Sequence, residues 1–360
     1  MKVLQLTNSL ITGGAEKLLM DTVPFYVKKG IIIDLLLLDG TEHPFVSIIK
    51  KNERVMVYSL GKGNIYNPFL VFKIIPFLKK YDVVHVHLFP ALYWVAIAKL
   101  LSFSNTKIVF TEHNTLNRRR NFIGKYLDRF IYTKYSKIIA ISELVYTNLK
   151  KHLNFDNERF CIIKNGVDLE KISTALATTN VFFKNQEPDQ KIIIQVSRFI
   201  YPKDQKTVIN ALKYLPDNIK LILVGDGELR KECENLVRGL YLEERVKFLG
   251  VRMDIPQLLK SSDIVVLSSV YEGLSLSSIE GMASGRPFVA SDVPGLTEVV
   301  KGAGVLFPQG NAKELAVQIL RLINNPVYYS EVSDACVERS KEFDINRMVD
   351  RYINLYKELK

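Results

Sequence analysis

Two glutamates with seven residues between them, Glu272 and Glu280, stand in the segment Val270-Tyr271-Glu272-Gly273-Leu274-Ser275-Leu276-Ser277-Ser278-Ile279-Glu280. The segment follows the apolar run Ile264 to Leu267 and leads into a helical stretch from about Leu276, which Gly285 and Pro287 stop. A strand, a glycine-bearing loop and a helix start form an anion site, because unpaired backbone N–H groups and the positive end of the helix dipole converge there. The chemistry this spacing suits is the holding of a diphosphate at Gly273, Leu274, Ser275 and Leu276. Glu280 would then accept hydrogen bonds from ribose hydroxyls, and Glu272 would reach a sugar. Met in isolation, such a pair is more often a loop carboxylate and a surface helical glutamate.

Arg198 and Lys203 follow the apolar run Lys191 to Ser197. Two cations at the carboxyl end of a strand can neutralise a departing diphosphate without a metal, arginine as a fork and lysine as a point charge. Gly13 and Gly14, in Thr12-Gly13-Gly14-Ala15-Glu16, let the backbone approach a phosphate or sugar at the start of the first helix. They do not make the G-x-G-x-x-G fingerprint, which disfavours a nicotinamide cofactor. His113 also follows a strand, although a lone histidine is more often a structural hydrogen-bonder than a catalyst. His85 and His87 share one face of a strand, lack a third metal ligand, and read as structural. Neither a cofactor nor a metal is expected. The turn Asn165-Gly166-Val167-Asp168 reads as hinge and cleft wall.

In combination these motifs resemble the E-x7-E signature of retaining glycosyltransferase family 4 (glycosyl transferases group 1), of the bacterial surface-polysaccharide type. The likeness continues through Gly285-Arg286-Pro287-Phe288-Val289-Ala290-Ser291-Asp292 to Pro294-Gly295-Leu296-Thr297-Glu298 and covers nearly the whole chain. It implies the GT-B architecture, with Glu272, His113, Arg198 and Lys203 at the chemistry and Gly13, Gly14, Gly273 to Leu276 and Glu280 holding the donor. It further implies a nucleotide-sugar donor, UDP favoured and GDP-mannose open. It implies a saccharide acceptor and retention of the anomeric configuration; a basic acceptor-side domain suits an acceptor that is lipid-linked in polysaccharide biosynthesis, while soluble acceptors occur in the same family. Two positions depart from the pattern: Ser275 stands where proline is common, and Gly281 where alanine is common. The glycine would cost the helix ~1 kcal/mol relative to alanine. The alternatives are a nucleotide-sugar epimerase or phosphorylase on the same fold, or a basic nucleic-acid-binding protein. The last lacks any recognisable helix-turn-helix, RNA-recognition or zinc module, so no nucleic-acid partner is expected.

These residues must be held at strand ends, and the sequence supplies the strands. Lys2 to Thr7, Ile31 to Leu38, Val55 to Ser59, Val83 to Val86, Lys107 to Thr111 and Lys137 to Ile141 are short runs rich in Val, Ile and Leu. The alternation restarts with Lys191 to Ser197, Lys220 to Val224, Val246 to Leu249, Ile264 to Leu267, Pro287 to Ala290 and Gly304 to Phe307. Apolar strands alternating with helices predict two doubly wound, Rossmann-like α/β domains facing a cleft. The boundaries read as 1–175 for an acceptor-side domain, 176–190 for a polar linker, and 191–343 for a nucleotide-sugar domain. The closing stretch, 344–360, reads as a helix that returns to the first domain on the stripe Met348, Val349, Tyr352, Ile353 and Tyr356.

Composition narrows the class further. The chain has 360 residues, 48% of them hydrophobic, and three widely spaced cysteines, Cys161, Cys233 and Cys336, that fit neither a disulfide framework nor a metal motif. The first residues are too polar for a signal peptide, and no apolar run nears the ~20 residues of a membrane span. A cytoplasmic protein is expected. Residues 1–175 carry 25 Lys and Arg against 14 Asp and Glu, while residues 176–360 carry 24 of each, so the whole excess of +11 lies in the first half. The cluster Arg118, Arg119, Arg120, Lys125, Arg129, Lys134 and Lys137 is interleaved with Phe122, Tyr126, Phe130 and Tyr135 and opposed only by Asp128. Such a stretch either docks on anionic lipid at the inner face of the plasma membrane or is a solvated helix whose rings face the core.

Overall fold

Strands form where the chain is apolar on both faces, and the first of them shows why. Along β1 (Lys2–Thr7) every residue after Lys2 is buried, the condition of a parallel strand covered by helices above and below. The computed structural model describes residues 1–114, 122–154, 157–178, 183 and 189–360, and divides them into two units. Arg118, Arg119 and Arg120 and most of the stretch 176–190 lie outside the described residues.

The first unit comprises Met1–Gly166 and Ile345–Lys360. Its strands are β1, β2 (Ile32–Leu37), β3 (Val57–Ser59), β4 (Val83–His87), β5 (Lys107–Glu112), β6 (Lys137–Ala140) and β7 (Phe160–Ile162). They form one parallel sheet in the order β3-β2-β1-β4-β5-β6-β7, with Val3 of β1 in register with Ile33 of β2 on one side and Val83 of β4 on the other. Edge strand β7 has only three residues and gives no periodic signal in the sequence. The helix Ile345–Leu359 belongs to this unit and buries Met348, Val349, Tyr352, Ile353 and Tyr356. Full burial of such side chains is worth roughly 1.5–3 kcal/mol each, and an ion pair from Lys29 to Asp350 at 2.8 Å adds little at the surface.

The second unit, Val167–Asp344, holds β8 (Lys191–Val196), β9 (Ile219–Val224), β10 (Val246–Gly250), β11 (Ile264–Leu267), β12 (Phe288–Ser291) and β13 (Val305–Phe307). Their order is β10-β9-β8-β11-β12-β13, again parallel. Val167 closes the unit, donating its N–H to Phe343 O at 2.9 Å and bridging to Asp344. In each unit the winding reverses beside the first strand, between β1 and β4 and between β8 and β11. The loops at the carboxyl ends of those strands are where a doubly wound sheet binds its ligand, and they carry the glycine loop, Arg198, Lys203 and Glu272.

Candidate active site

In the second unit, the loop after β8 and the loop after β11 meet at one ion pair. Lys203 Nζ lies 2.5 Å from Glu272 Oε1, and the buried Ser269 hydroxyl donates to the same oxygen at 2.6 Å. The pair is largely withdrawn from water, with side chains 18% and 10% exposed. Removing one partner of a buried pair typically costs about 3–5 kcal/mol, because the other charge is left uncompensated.

Buried polar side chains fix the two loops before any ligand arrives. Gln195, at the end of β8, donates to Lys203 O at 2.9 Å and accepts from Ser268 Oγ at 3.0 Å. The same Ser268 hydroxyl lies 2.7 Å from Asp204 O and shares its one proton between the two acceptors, and Gln205 Nε2 donates to Arg198 O at 2.8 Å. Val270 N–H bonds Pro202 O at 2.8 Å, which ties loop to loop directly. On the far side, Gly295 at φ +87° packs so closely that a Cβ there would stand 2.2 Å from Glu272 O, a contact and a backbone conformation that glycine alone tolerates. Sequence reasoning missed Gln195, Gln205, Ser268 and Ser269. The available signal was Gln195, a polar residue inside the apolar run Ile192 to Val196.

Arg198 differs from Lys203. Its backbone is held, yet its side chain is exposed and makes no hydrogen bond or ion pair with another described residue. The guanidinium is thus available to an incoming anion.

The helix Leu276–Ala283 begins directly after this loop. Glu280 is 5% exposed and Glu272 8%, so neither is a solvated surface carboxylate. Gly273 is half-buried, and Leu274, Ser275 and Leu276 are buried. Ser275 is the N-cap at φ −76°, a value proline also adopts, and its side chain makes no capping bond. Gly281 has a packing reason: a Cβ there would lie 2.6 Å from Phe288 Cδ2 and 2.9 Å from Val265 Cγ1. The bulk of Phe288 on β12 occupies the volume an alanine methyl would need.

In the first unit, Gly13 caps the helix Gly14–Lys28, and the buried Glu16 folds back over it, so that a Cβ on Gly13 would sit 2.2 Å from Glu16 Oε2. A carboxylate of the chain itself therefore lies at this helix start, whereas nothing stands within 4 Å of a Cβ on Gly14. His113 follows β5, is half-buried, and lies 3.0 Å through Nε2 from His87 Nδ1. Burial lowers His113 to about 4 and His85 to about 3, and holds His87 well below the usual histidine range, so all three rings are neutral near pH 7. Among the described residues, no group of three or more His, Cys, Asp or Glu is arranged to hold a metal ion.

The basic helix Phe122–Tyr132 divides its aromatics. Tyr126, Leu127 and Phe130 are 50–61% exposed, whereas Tyr135 beyond the helix is wholly buried. Lys125 is half-buried and Arg129 exposed. Asp128 turns inward to Tyr93 and to His152 at 2.9 Å, leaving the outer face without its one acid. No helix among the described residues is long and apolar enough to cross a membrane.

Two parallel sheets of seven and six strands, each flanked by helices, define the GT-B class, and known proteins agree. Residues 12–171 match the family described as Glycosyltransferase Family 4, and residues 177–343 match glycosyl transferases group 1. The chain belongs to this family of GT-B glycosyltransferases. It is 27% identical over 293 residues to the UDP-Gal:alpha-D-GlcNAc-diphosphoundecaprenol alpha-1,3-galactosyltransferase of Escherichia coli, a match spanning 77% of this chain and 76% of that one. It is 29% identical over 213 residues to the N,N'-diacetylbacillosaminyl-diphospho-undecaprenol alpha-1,3-N-acetylgalactosaminyltransferase of Campylobacter jejuni, covering 57% of this chain and 56% of the relative. The structure of HepE from Anabaena in complex with UDP and glucose superposes with a TM-score of 0.86 at 25% identity, covering 99% of this chain and 100% of the other.

Proposed function

We propose that this glycosyltransferase takes a sugar from a UDP-sugar, retains its anomeric configuration without a metal ion, and transfers it to a saccharide acceptor carried on a lipid diphosphate in polysaccharide synthesis. The observation that carries the reading is the buried Lys203–Glu272 pair, with Ser269 on the same oxygen, at the switch point of the second unit. Lys203 and Ser269 fix the direction of the Glu272 carboxylate, and a fixed carboxylate recognises sugar hydroxyls. Glu280, buried in the following helix, accepts from the ribose. Arg198, Lys203 and the backbone N–H groups at the start of Leu276–Ala283 stabilise the departing diphosphate. The bond from the anomeric carbon to the diphosphate oxygen breaks first, giving an oxocarbenium-like ion pair. The acceptor hydroxyl attacks from the face the diphosphate leaves, and its proton passes to that diphosphate.

In this reading residues 191–343 are the donor part and residues 1–175 with the returning helix of residues 344–360 the acceptor-side part, and Gly13, Gly14 and His113 count among the functional residues. The complexes of HepE with UDP and glucose, and the diphosphoundecaprenol named in the relatives, support donor and acceptor class. The exposed Tyr126, Leu127 and Phe130 beside Arg129 support docking of the cytoplasmic enzyme on an anionic membrane surface, where rings sit at the interface and basic side chains meet headgroups.

The test is a thermal-shift panel of nucleotide sugars on the full chain. A ligand that binds only the folded state raises the melting temperature, so a UDP-sugar should raise it more than GDP-mannose. Stabilisation by GDP-mannose with none by any UDP-sugar would overturn the donor assignment.

A further inference from the structure

Beneath His113 lies a chain of polar groups that ends in the helix Ile345–Leu359. His113 Nε2 stands 3.0 Å from His87 Nδ1, and His87 Nε2 stands 2.7 Å from Gln5 Oε1. Gln5 Nε2 donates to the Tyr356 hydroxyl at 3.3 Å, and that hydroxyl lies 2.6 Å from His85 Nδ1. His85 Nε2 is 2.7 Å from Thr111 Oγ1, and Thr111 is 3.4 Å from the Tyr352 hydroxyl. Gln5, His85, His87, Thr111, Tyr352 and Tyr356 are all at most 3% exposed, so no water competes for these bonds.

Each member has few ways to donate, and together they set one direction. The shortest link to a ring is that between the Tyr356 hydroxyl and His85 Nδ1. A phenol is a stronger donor than a carboxamide, and an imidazole nitrogen is a stronger acceptor than a phenol oxygen, so the hydroxyl donates there. Its oxygen is left to accept from Gln5 Nε2, which turns the Gln5 carbonyl toward His87. A carbonyl only accepts, so His87 carries its proton on Nε2 and offers a lone pair at Nδ1. That lone pair faces His113 Nε2, which must then be the protonated nitrogen. The other nitrogen of His113, Nδ1, is left as an acceptor and has no partner among the described residues.

We propose that Gln5, His87 and Tyr356 are positioning residues that lock the ring proton of His113 on Nε2, so that His113 presents Nδ1 as a neutral acceptor for a hydroxyl. An uncharged acceptor repels a phosphate oxygen and takes a sugar hydroxyl, and this last step rests on the donor reading above. The closing helix thereby reaches the reacting end of the first unit through Tyr356, and its role exceeds the burial of an apolar stripe.

The chain has five histidines, so ¹⁵N-histidine labelling of the full protein gives an assignable long-range ¹H–¹⁵N spectrum. Near neutral pH, His113 should appear as a single tautomer with a protonated Nε2 and a bare Nδ1. A protonated Nδ1 in the wild-type protein would overturn the relay whether or not any variant folds. Tyr356→Phe keeps the ring but removes the hydroxyl that orients Gln5, so His113 should become a mixture of tautomers. His87→Asn keeps an acceptor where Nδ1 stood and should preserve the wild-type tautomer, which His87→Leu should not. An unchanged His113 spectrum in both Tyr356→Phe and His87→Leu would also overturn the relay. UDP-glucose, but not UDP, should then shift the Nδ1 resonance. Binding of UDP-glucose with no movement of Nδ1 would refute the hydroxyl contact. If no nucleotide sugar binds, the donor reading fails, and the tautomer of the free protein decides the relay alone.

Discussion

Gly281→Ala is expected to destabilise the second unit, although alanine is the better helix former. Propensity favours the substitution by about 1 kcal/mol. Against this, the new methyl would sit 2.6 and 2.7 Å from two carbons of the Phe288 ring and 2.9 Å from a Val265 methyl. Phe288 is wholly buried and Val265 is 2% exposed, so neither can yield without displacing the sheet. Overpacking of this kind costs typically 1–3 kcal/mol, and three contacts below 3 Å belong near the top of that range, leaving a net loss of about 1–2 kcal/mol. For a unit of this size the melting midpoint should fall by roughly 2–8 °C. Because Glu280 is the preceding residue on the same helix, affinity for the donor should fall with it. Calorimetry of Gly281→Ala, Phe288→Leu and the double variant resolves the cause: with the ring gone, the alanine should be neutral or stabilising, giving a coupling of at least about 1 kcal/mol. A higher midpoint for Gly281→Ala alone would refute the packing account.

Further outcomes follow from the same geometry. Glu280→Ala should mainly raise KM for the donor, whereas Glu272→Gln should depress kcat as well, because it releases Lys203 and disturbs the sugar; wild-type kinetics in both would remove the site assignment. His85 and His113 titrate near 3 and 4 when folded but near 6.5 when unfolded, so the unfolded chain takes up protons first as pH falls. Stability of the first unit should be full above pH 6.5 and decline toward pH 4, and a flat melting profile over that window would contradict the neutral buried rings. Lys125→Glu with Arg129→Glu should weaken flotation with anionic vesicles, and added salt should imitate the substitutions on the wild type; equal flotation at low salt would return this helix to a solvated face.

Much of the scaffold was readable because parallel strands are apolar on both faces. The runs at Lys2, Ile264 and the others became strands within a residue or two of their expected ends, while edge strand β7, set in the short apolar run Phe160 to Ile163, was not anticipated. The two glutamates and the two cations were readable as motifs, but their joining was not. Lys203 and Glu272 are 69 positions apart and meet only because β8 and β11 are neighbours. Gly281 looked like a cost to the helix, since propensity is local, and its reason is the ring of Phe288 on another element. His85 and His87 read as structural from their spacing. Their part in a chain that reaches Tyr356 needed the closing helix to be placed beside them, and that depends on tertiary packing.

The central claim is retention without a metal, and one measurement reaches it directly. The purified enzyme, a UDP-α-sugar and a saccharide-diphosphate-lipid acceptor analogue would be followed by ¹H NMR in excess EDTA, reading turnover and the anomeric configuration of the new linkage together. The α-linked product should accumulate at the same rate with and without chelator if, as proposed, Arg198, Lys203 and the start of the helix Leu276–Ala283 supply the charge that stabilises the diphosphate. A β-linked product, or turnover that ceases in EDTA and returns only with Mg²⁺ or Mn²⁺, would contradict it.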